Sequence, residues 1–487
     1  MTSSKERIKS FLLVALVLSS VVLTQINLFD GLNISEGISE AREFQSTKLS
    51  AYINPQSYFV SFGGLSYTKV YDDRMQDQLW TEIRPFILSS LLNYESIDEI
   101  TKADYVKAFA DRSLMVRMPL DLTASRFYSV FSDEGLSDDV AEIEPYEYLL
   151  REGSVRSLYV FDKNHDKYYL LRHKSAIHDI KALIDAVKSE APIEYRKISD
   201  RFSLDSTVGE NFNKLNYELI PYEYDFIIGS LNVENEVRLD EINFSSDISS
   251  ISSAVFGESM DFVKRLKDVN DSIILMYGYG EKSLTVSHDG LISYRKKFDP
   301  NLAKPSNFKE AFSLSSGFIE NFGIIPDGLF LAYYEEVKSE NTFIFYYSYK
   351  LNSYVVGEVA SRQYPIKVVV KENQVVSVDK NVKLFTGEMS MNRFSNVDRL
   401  MTVDQCIVIN DVEVSVYYLQ DNNRLEAQPD KNAYYFEIRS DITSLELRYL
   451  ETLDDNVRYM VPMWQVIISG RTYLFNAYDG KLLGTYR

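Results

Sequence analysis

The stretch Gly470-Arg471-Thr472-Tyr473-Leu474-Phe475-Asn476-Ala477-Tyr478-Asp479-Gly480 reads as a glycine turn, a strand and an Asp-Gly turn into a further strand. It has an ungapped counterpart upstream, Gly280-Glu281-Lys282-Ser283-Leu284-Thr285-Val286-Ser287-His288-Asp289-Gly290. Asp-Gly suits the tightest hairpins, because both central positions of the turn need a positive φ. Strand-like runs precede both copies, Ser272 to Tyr277 in one and Trp464 to Ile468 in the other. A third hairpin lies between them: Ile366 to Val370 and Gln374 to Val378, turned at Glu372-Asn373. Whether the two Asp-Gly units form a repeat or resemble each other by chance, they predict antiparallel sheets with helices packed on them.

Working outward, helical periodicity alternates with these strands. Leu79, Trp80, Ile83, Phe86, Ile87 and Leu91 recur at three- and four-residue steps behind Asp72 and Asp73, with Pro85 predicted to kink or split the helix. Ser96 with Glu99 resembles a capping box for a helix through Tyr105 and Phe109. Helices are also predicted over Ile177 to Val187 and Phe308 to Phe322, with shorter helical stretches near Asn396 to Met401. Strands are predicted at Ser57 to Phe62 and Leu114 to Met118, and a hairpin is predicted around Asn164-His165-Asp166. The Ser-rich run over 245–253 reads as a junction.

At the N-terminus, Ser10 to Phe29 (SFLLVALVLSSVVLTQINLF) carries no charge over 20 residues. As a helix it would be about 30 Å long, the thickness of a bilayer's hydrocarbon core. Lys5, Arg7 and Lys9 precede it and Asp30 and Glu36 follow, which predicts a cytoplasmic N-terminus and an extracellular body. The competing reading is a signal peptide cut after Ser19, but the apolar run continues past that point without an A-x-A site. The expected organisation is a tail (1–9), a transmembrane anchor (10–29), a polar stalk (30–56) and three further regions. These are an N-terminal mixed α/β ectodomain (57–240), a middle α+β domain (245–380) and a C-terminal α+β domain (381–487). The fold class is therefore α+β: one N-terminal transmembrane helix and a multi-lobed ectodomain of antiparallel sheets with packed helices.

Composition narrows the function. A net charge of −19 over 487 residues offers no basic stripe to neutralise phosphates, so nucleic acid is not an expected partner. The single cysteine, Cys406, cannot form an intramolecular disulfide and sits in an apolar run that predicts a buried thiol. His165, His173, His178 and His288 form no HExxH or Cys/His pattern, and no G-x-S-x-G, S-x-x-K or phosphate-binding glycine loop is present. Asp138, Asp139, Glu142, Glu144 and Glu147 read as a solvated acidic face without EF-hand spacing. Tyr333-Tyr334, Tyr346-Tyr347 and Tyr417-Tyr418 read as strand pairs, one ring of each facing the core. The reading is of a non-enzyme without metal or cofactor. Within the anchor, Ala15 and Ser19 share one helical face, and Ser20 and Thr24 repeat the spacing beside it. Small residues and hydroxyls of this kind let transmembrane helices approach closely, so these four are the candidate partner-binding residues.

Three places carry a family resemblance: Glu6-Arg7-Ile8-Lys9-Ser10-Phe11-Leu12-Leu13, Leu79-Trp80-Thr81-Glu82-Ile83-Arg84-Pro85-Phe86, and Trp464-Gln465-Val466-Ile467-Ile468 through Tyr478-Asp479-Gly480. With these the chain resembles the YycH family of bacterial envelope regulators, and its ending is similar to the related YycI proteins. The resemblance implies a single-pass protein of the Gram-positive cell membrane. It implies as partners a YycI-like protein and the sensor histidine kinase YycG, also called WalK, whose response regulator controls cell-wall metabolism. It carries no catalytic residues over. A tethered extracellular module that binds peptides or wall fragments is the alternative.

The charge asymmetry around Ser10 to Phe29 predicts that protease added to intact protoplasts digests the body while the N-terminus stays uncut. A mature protein beginning at Ser20 in mass analysis would contradict the anchor.

Overall fold

The structure is a computed structural model. It describes residues 49–175, 178–190, 192–202, 213–222, 228–237, 239, 246–357, 363–390, 399–424, 431–454 and 457–487. The run from Ser10 to Phe29 lies outside these residues, as do residues 396–398 of the stretch Asn396 to Met401, whose remaining residues are not helical. Among the described residues no helix is long and apolar enough to cross a membrane.

The architecture is α+β, built on three antiparallel sheets of nine, eight and six strands among the described residues. In the first sheet the strand order is Tyr94–Ile100, Lys167–His173, Ser157–Asp162, Pro145–Arg151, Arg112–Arg117, Ser57–Phe62, Tyr67–Val70, Tyr195–Lys197, Leu219–Pro221. Alternation along these strands gives it two buried faces. Tyr58, Val60, Leu114, Val116 and Tyr148 belong to the core that includes Leu79, Ile83 and Ile87 of helix Asp73–Leu92. Phe59, Met115 and Leu149 face the other way, against Tyr105 and Phe109 of helix Lys102–Ala110.

Both Asp-Gly hairpins form, but with a positive φ only at Gly290 and Gly480 and not at Asp289 or Asp479, so the turns are wider than the two-residue type the dipeptide suggests. The upstream one pairs Ile273–Tyr277 with Lys282–Val286 and that with Ile292–Lys296, in the eight-stranded sheet. The downstream one pairs Val457–Ile468 with Arg471–Asn476 and that with Leu482–Tyr486, in the six-stranded sheet. Gly480 has φ +71°, and a Cβ there would come within 2.7 Å of the Ile409 side chain, so the turn is closed to other residues on both counts. The third hairpin turns at Glu372 and Asn373, both at positive φ. Strand Ser230–Asn235 lies in the six-stranded sheet, paired with Lys383–Ser390 and with Val457–Ile468.

Several sequence expectations need correcting. Helix Asp73–Leu92 runs unbroken through Pro85. Pro85 faces solvent, where water can satisfy the carbonyl its missing N–H frees, while Ile83, Phe86 and Ile87 stay buried. Ser96 and Glu99 are not a helix cap, because Tyr94–Ile100 is a strand paired with Lys167–His173. The capping box is Thr101 with Asp104, and the helix is Lys102–Ala110. The helix predicted from Ile177 begins at Lys181. Most of the Ser-rich run is helical, within Ser246–Phe256, and buries Ile248, Ile251, Val255 and Phe256 at helical spacing. Tyr417 and Tyr418 lie on helix Asp411–Asp421, not on a strand.

Helix Phe308–Glu320, opened by a capping box of Asn307 and Glu310, lies on the eight-stranded sheet. Phe312 is fully buried there, 5.6 Å from the Phe345 ring and 5.7 Å from Phe308. In urea unfolding, Phe312→Ala should cost about 3–5 kcal/mol, and Asn307→Ala about 1 kcal/mol. Equal, small losses from both would show that this helix does not close the core.

Candidate functional site

Where the three sheets meet, charges that a folded chain ordinarily leaves in water are buried. Arg117 ends a central strand of the first sheet and is 3% exposed. Its guanidinium donates to Glu147 through Nε (3.0 Å) and Nη2 (2.8 Å), and to Glu218 through Nη2 (2.9 Å). It also lies 4.8 Å from the Phe59 ring centre. Tyr105 and Tyr217 donate to the second oxygen of Glu147, at 3.1 and 2.8 Å. Glu218 in turn accepts from the backbone N–H of Leu445 (3.2 Å), in the six-stranded sheet. A parallel link joins buried Lys69 to Glu446, which also accepts from Ser57 Oγ at 2.8 Å. Asn216 donates to the carbonyls of Ser440 (2.7 Å) and Ile442 (2.8 Å).

Glu147 is fully buried, so the acidic run Asp138 to Glu147 is not uniformly the solvated face its composition suggested. The available signal was strand alternation: Glu147 sits between Pro145 and Leu149 in a run whose alternate members point inward.

Burial pushes the Glu218 carboxyl up, against the opposing field of Arg117. Burial acts the same way on Glu446, but Lys69, Arg448 and Arg117 overcome it and hold that carboxyl below the ordinary glutamate range. The two respond to pH with opposite signs. Stability contributed by Glu446 is complete above the ordinary glutamate pKa and is lost as pH falls through its depressed value. The penalty from Glu218 is absent in acid and appears as pH rises through its raised value.

Beside this network lies a cavity of about 560 Å³ with a wall from each sheet. The six-stranded sheet presents one face: Glu446 is directly opposite Gln465, Ser444 opposite Ile467, and Thr472 opposite Tyr486. The eight-stranded sheet contributes Phe330, Ala332 and Tyr333, with Tyr364 stacked on Tyr333 at 6.4 Å. The first sheet contributes Arg117 and Tyr146, over which Lys163 Nζ sits at 4.5 Å.

The four histidines are scattered. His173 bonds Ser89 Oγ at 2.8 Å and His178 meets the Ser154 carbonyl at 3.1 Å, and both rings pack near Phe86. Burial lowers the pKa of both. His288 lies in a turn. His165, Glu144 and Asp162 bring possible ligand atoms within 4.8 Å of one another. Asp162 already accepts from the backbone N–H groups of His165 and Glu144, both at 3.1 Å, which accounts for it as a turn cap. Cys406 is fully buried, which raises its thiol to about 12. Ala15, Ser19, Ser20 and Thr24 lie outside the described residues.

Comparison with known proteins adds the fold. No family model matches the chain, and no curated protein does. Among solved structures, YycH from Bacillus subtilis matches with a TM-score of 0.51 at 13% identity, covering 89% of this chain and 98% of that one. An uncharacterized protein from Eubacterium rectale ATCC 33656 gives a TM-score of 0.33 at 10% identity, over 53% of this chain and 85% of that one. The chain thus shares the fold of YycH over most of its length.

Removing Arg117 strands two buried carboxylates, so Arg117→Met should destabilise by about 3–5 kcal/mol. Glu152→Gln, in the half-exposed pair with Arg112, should change stability by about 1 kcal/mol or less. Equal effects in urea titrations would remove the network from the account of the junction.

Proposed function

We propose that this chain is a non-catalytic, single-pass regulator of a sensor histidine kinase that controls cell-wall metabolism. It would be held in the cell membrane by Ser10 to Phe29, with its body outside. The observation that carries this is the fold shared with YycH from Bacillus subtilis over 89% of the chain. The kinase, YycG or WalK, and a YycI-like protein are the proposed partners, following from the resemblance in Glu6 to Leu13, Leu79 to Phe86 and Trp464 to Gly480. The uncharged run behind Lys5, Arg7 and Lys9 supports the anchor and its orientation. Contact with the kinase would run through both the transmembrane helix and the body. The acidity of the chain, net −19 over its full length, suits a soluble extracellular domain and not a phosphate-binding surface.

In lipid, helices gain little from burying apolar surface against each other, so association depends on close packing and hydrogen bonds. The Ala15/Ser19 strip, continued by Ser20 and Thr24, is the proposed contact face. Ala15→Leu with Ser19→Leu should preserve insertion, since both raise hydrophobicity, yet block close approach. Co-purification of the kinase should fall at equal membrane level, while Leu13→Ile with Val17→Ile leaves it unchanged. Undiminished recovery with the double leucine variant would remove this face from the mechanism. Full function from a soluble body without the helix would favour the tethered-binder alternative.

A further inference from the structure

The cavity between the three sheets holds two buried polar atoms that the fold leaves unpaired. Arg448 Nε and Gln465 Oε1 are both shielded from solvent and without a hydrogen-bond partner. Both residues line the cavity. They lie on adjacent strands, with Arg448 opposite Met463 and Gln465 opposite Glu446. That is the diagonal relation across an antiparallel pair, about 7–8 Å between backbones and within reach of two long side chains. Among the described residues no carboxylate lies within ion-pair distance of Arg448, whereas Arg117 is held by Glu147 and Glu218. Glu446, the nearest acid along its own strand, is held by Lys69 and Ser57. Buried polar atoms are nearly always paired, and two unpaired ones lining one cavity call for a water, an ion or a bound group to satisfy them.

The two orphans make different demands. The guanidinium is a planar fork of donors, matched by a carboxylate or a phosphate. The carboxamide oxygen is an acceptor and wants an N–H or O–H close by. In the same cavity Asp121 faces the field of Lys163, and Glu446 is held by Lys69 with Arg448 adding to its field, so the cations exceed the acids by little and one negative charge is favoured over two. Tyr333 and Tyr364, stacked 6.4 Å apart, add an apolar wall on the opposite side.

We propose that this cavity binds the carboxyl terminus of a peptide: its carboxylate on Arg448, its last amide N–H on Gln465 Oε1, and its terminal side chain against Tyr333 and Tyr364. No step of this depends on the kinase reading, and the site would stand if the partner proved different.

The test is calorimetry on the full chain in detergent. The probes are a panel of N-acetyl dipeptides spanning terminal side chains of both chiralities, each as free acid and as C-terminal amide, with inorganic phosphate alongside. At least one acid should bind saturably. Its amide should bind about 10- to 100-fold more weakly, the worth of a charge-assisted hydrogen bond. Arg448→Gln should lose binding by the same factor. Arg448→Lys keeps the charge without the fork, should hold the fold if Gln does not, and should also bind more weakly. Arg172→Gln, on an exposed pair with Asp98, should leave binding unchanged. No saturable binding by any acid, equal binding of acid and amide, unaltered binding by both Arg448 variants, or phosphate competing at equal concentration would each overturn the proposal.

Discussion

A buried arginine sets the geometry of this molecule. Arg117 is out of water, and a guanidinium cannot be neutralised by losing its proton, so the fold must bring carboxylates to it. It does so from two places, with Glu147 on a neighbouring strand of the same sheet and Glu218 on a segment that also caps the N–H of Leu445. Lys69 with Glu446 repeats the arrangement two strands away. Such pairs gain little net stability over well-packed apolar residues, but they tolerate little displacement. They therefore act on relative position, fixing the first sheet against the six-stranded one. Lys380 with Glu236, both fully buried, and Lys380 bonded to the carbonyls of Phe322 and Ile324, tie in the eight-stranded sheet in the same way.

The cavity is a consequence of that arrangement. Charged strand positions cannot pack flush against an apolar sheet, so the inner face carrying Ser444, Glu446 and Arg448 stands off from Phe330 and Tyr333. The opposite face of the same strands, with Leu445, Leu447, Tyr449 and Trp464, is ordinary core. One strand thus serves stability on one side and leaves polar groups available on the other, a direct product of period-two alternation.

Legibility followed the range of the interactions. Local signals held: the Asp-Gly hairpins, the Glu372-Asn373 turn, and the periodic helix behind Asp72 and Asp73. Where two local signals competed, tertiary pairing chose between them. Ser96 and Glu99 had capping chemistry, but Ile97 and its neighbours found a strand partner in Lys167–His173. The Ser-rich run resembled a junction because serine is common in loops, yet its isoleucines were at helical spacing. The candidate cavity was not legible at all. Arg117, Glu218, Arg448 and Gln465 are up to hundreds of residues apart in sequence, no catalytic or binding motif links them, and only the packing of three sheets brings them together. The proposed transmembrane strip is the reverse case: Ala15, Ser19, Ser20 and Thr24 form a spacing pattern in the sequence and lie outside the described residues.

The central claim is that this fold serves a membrane-bound kinase. Its most direct test is in-membrane crosslinking of the full-length chain in its own cells, followed by mass spectrometry of the captured proteins. The account predicts a sensor histidine kinase and a second single-pass partner among the crosslinked species, with crosslinks in both the helix and the body. Capture of neither, with the chain present in the membrane at its normal level, would contradict it.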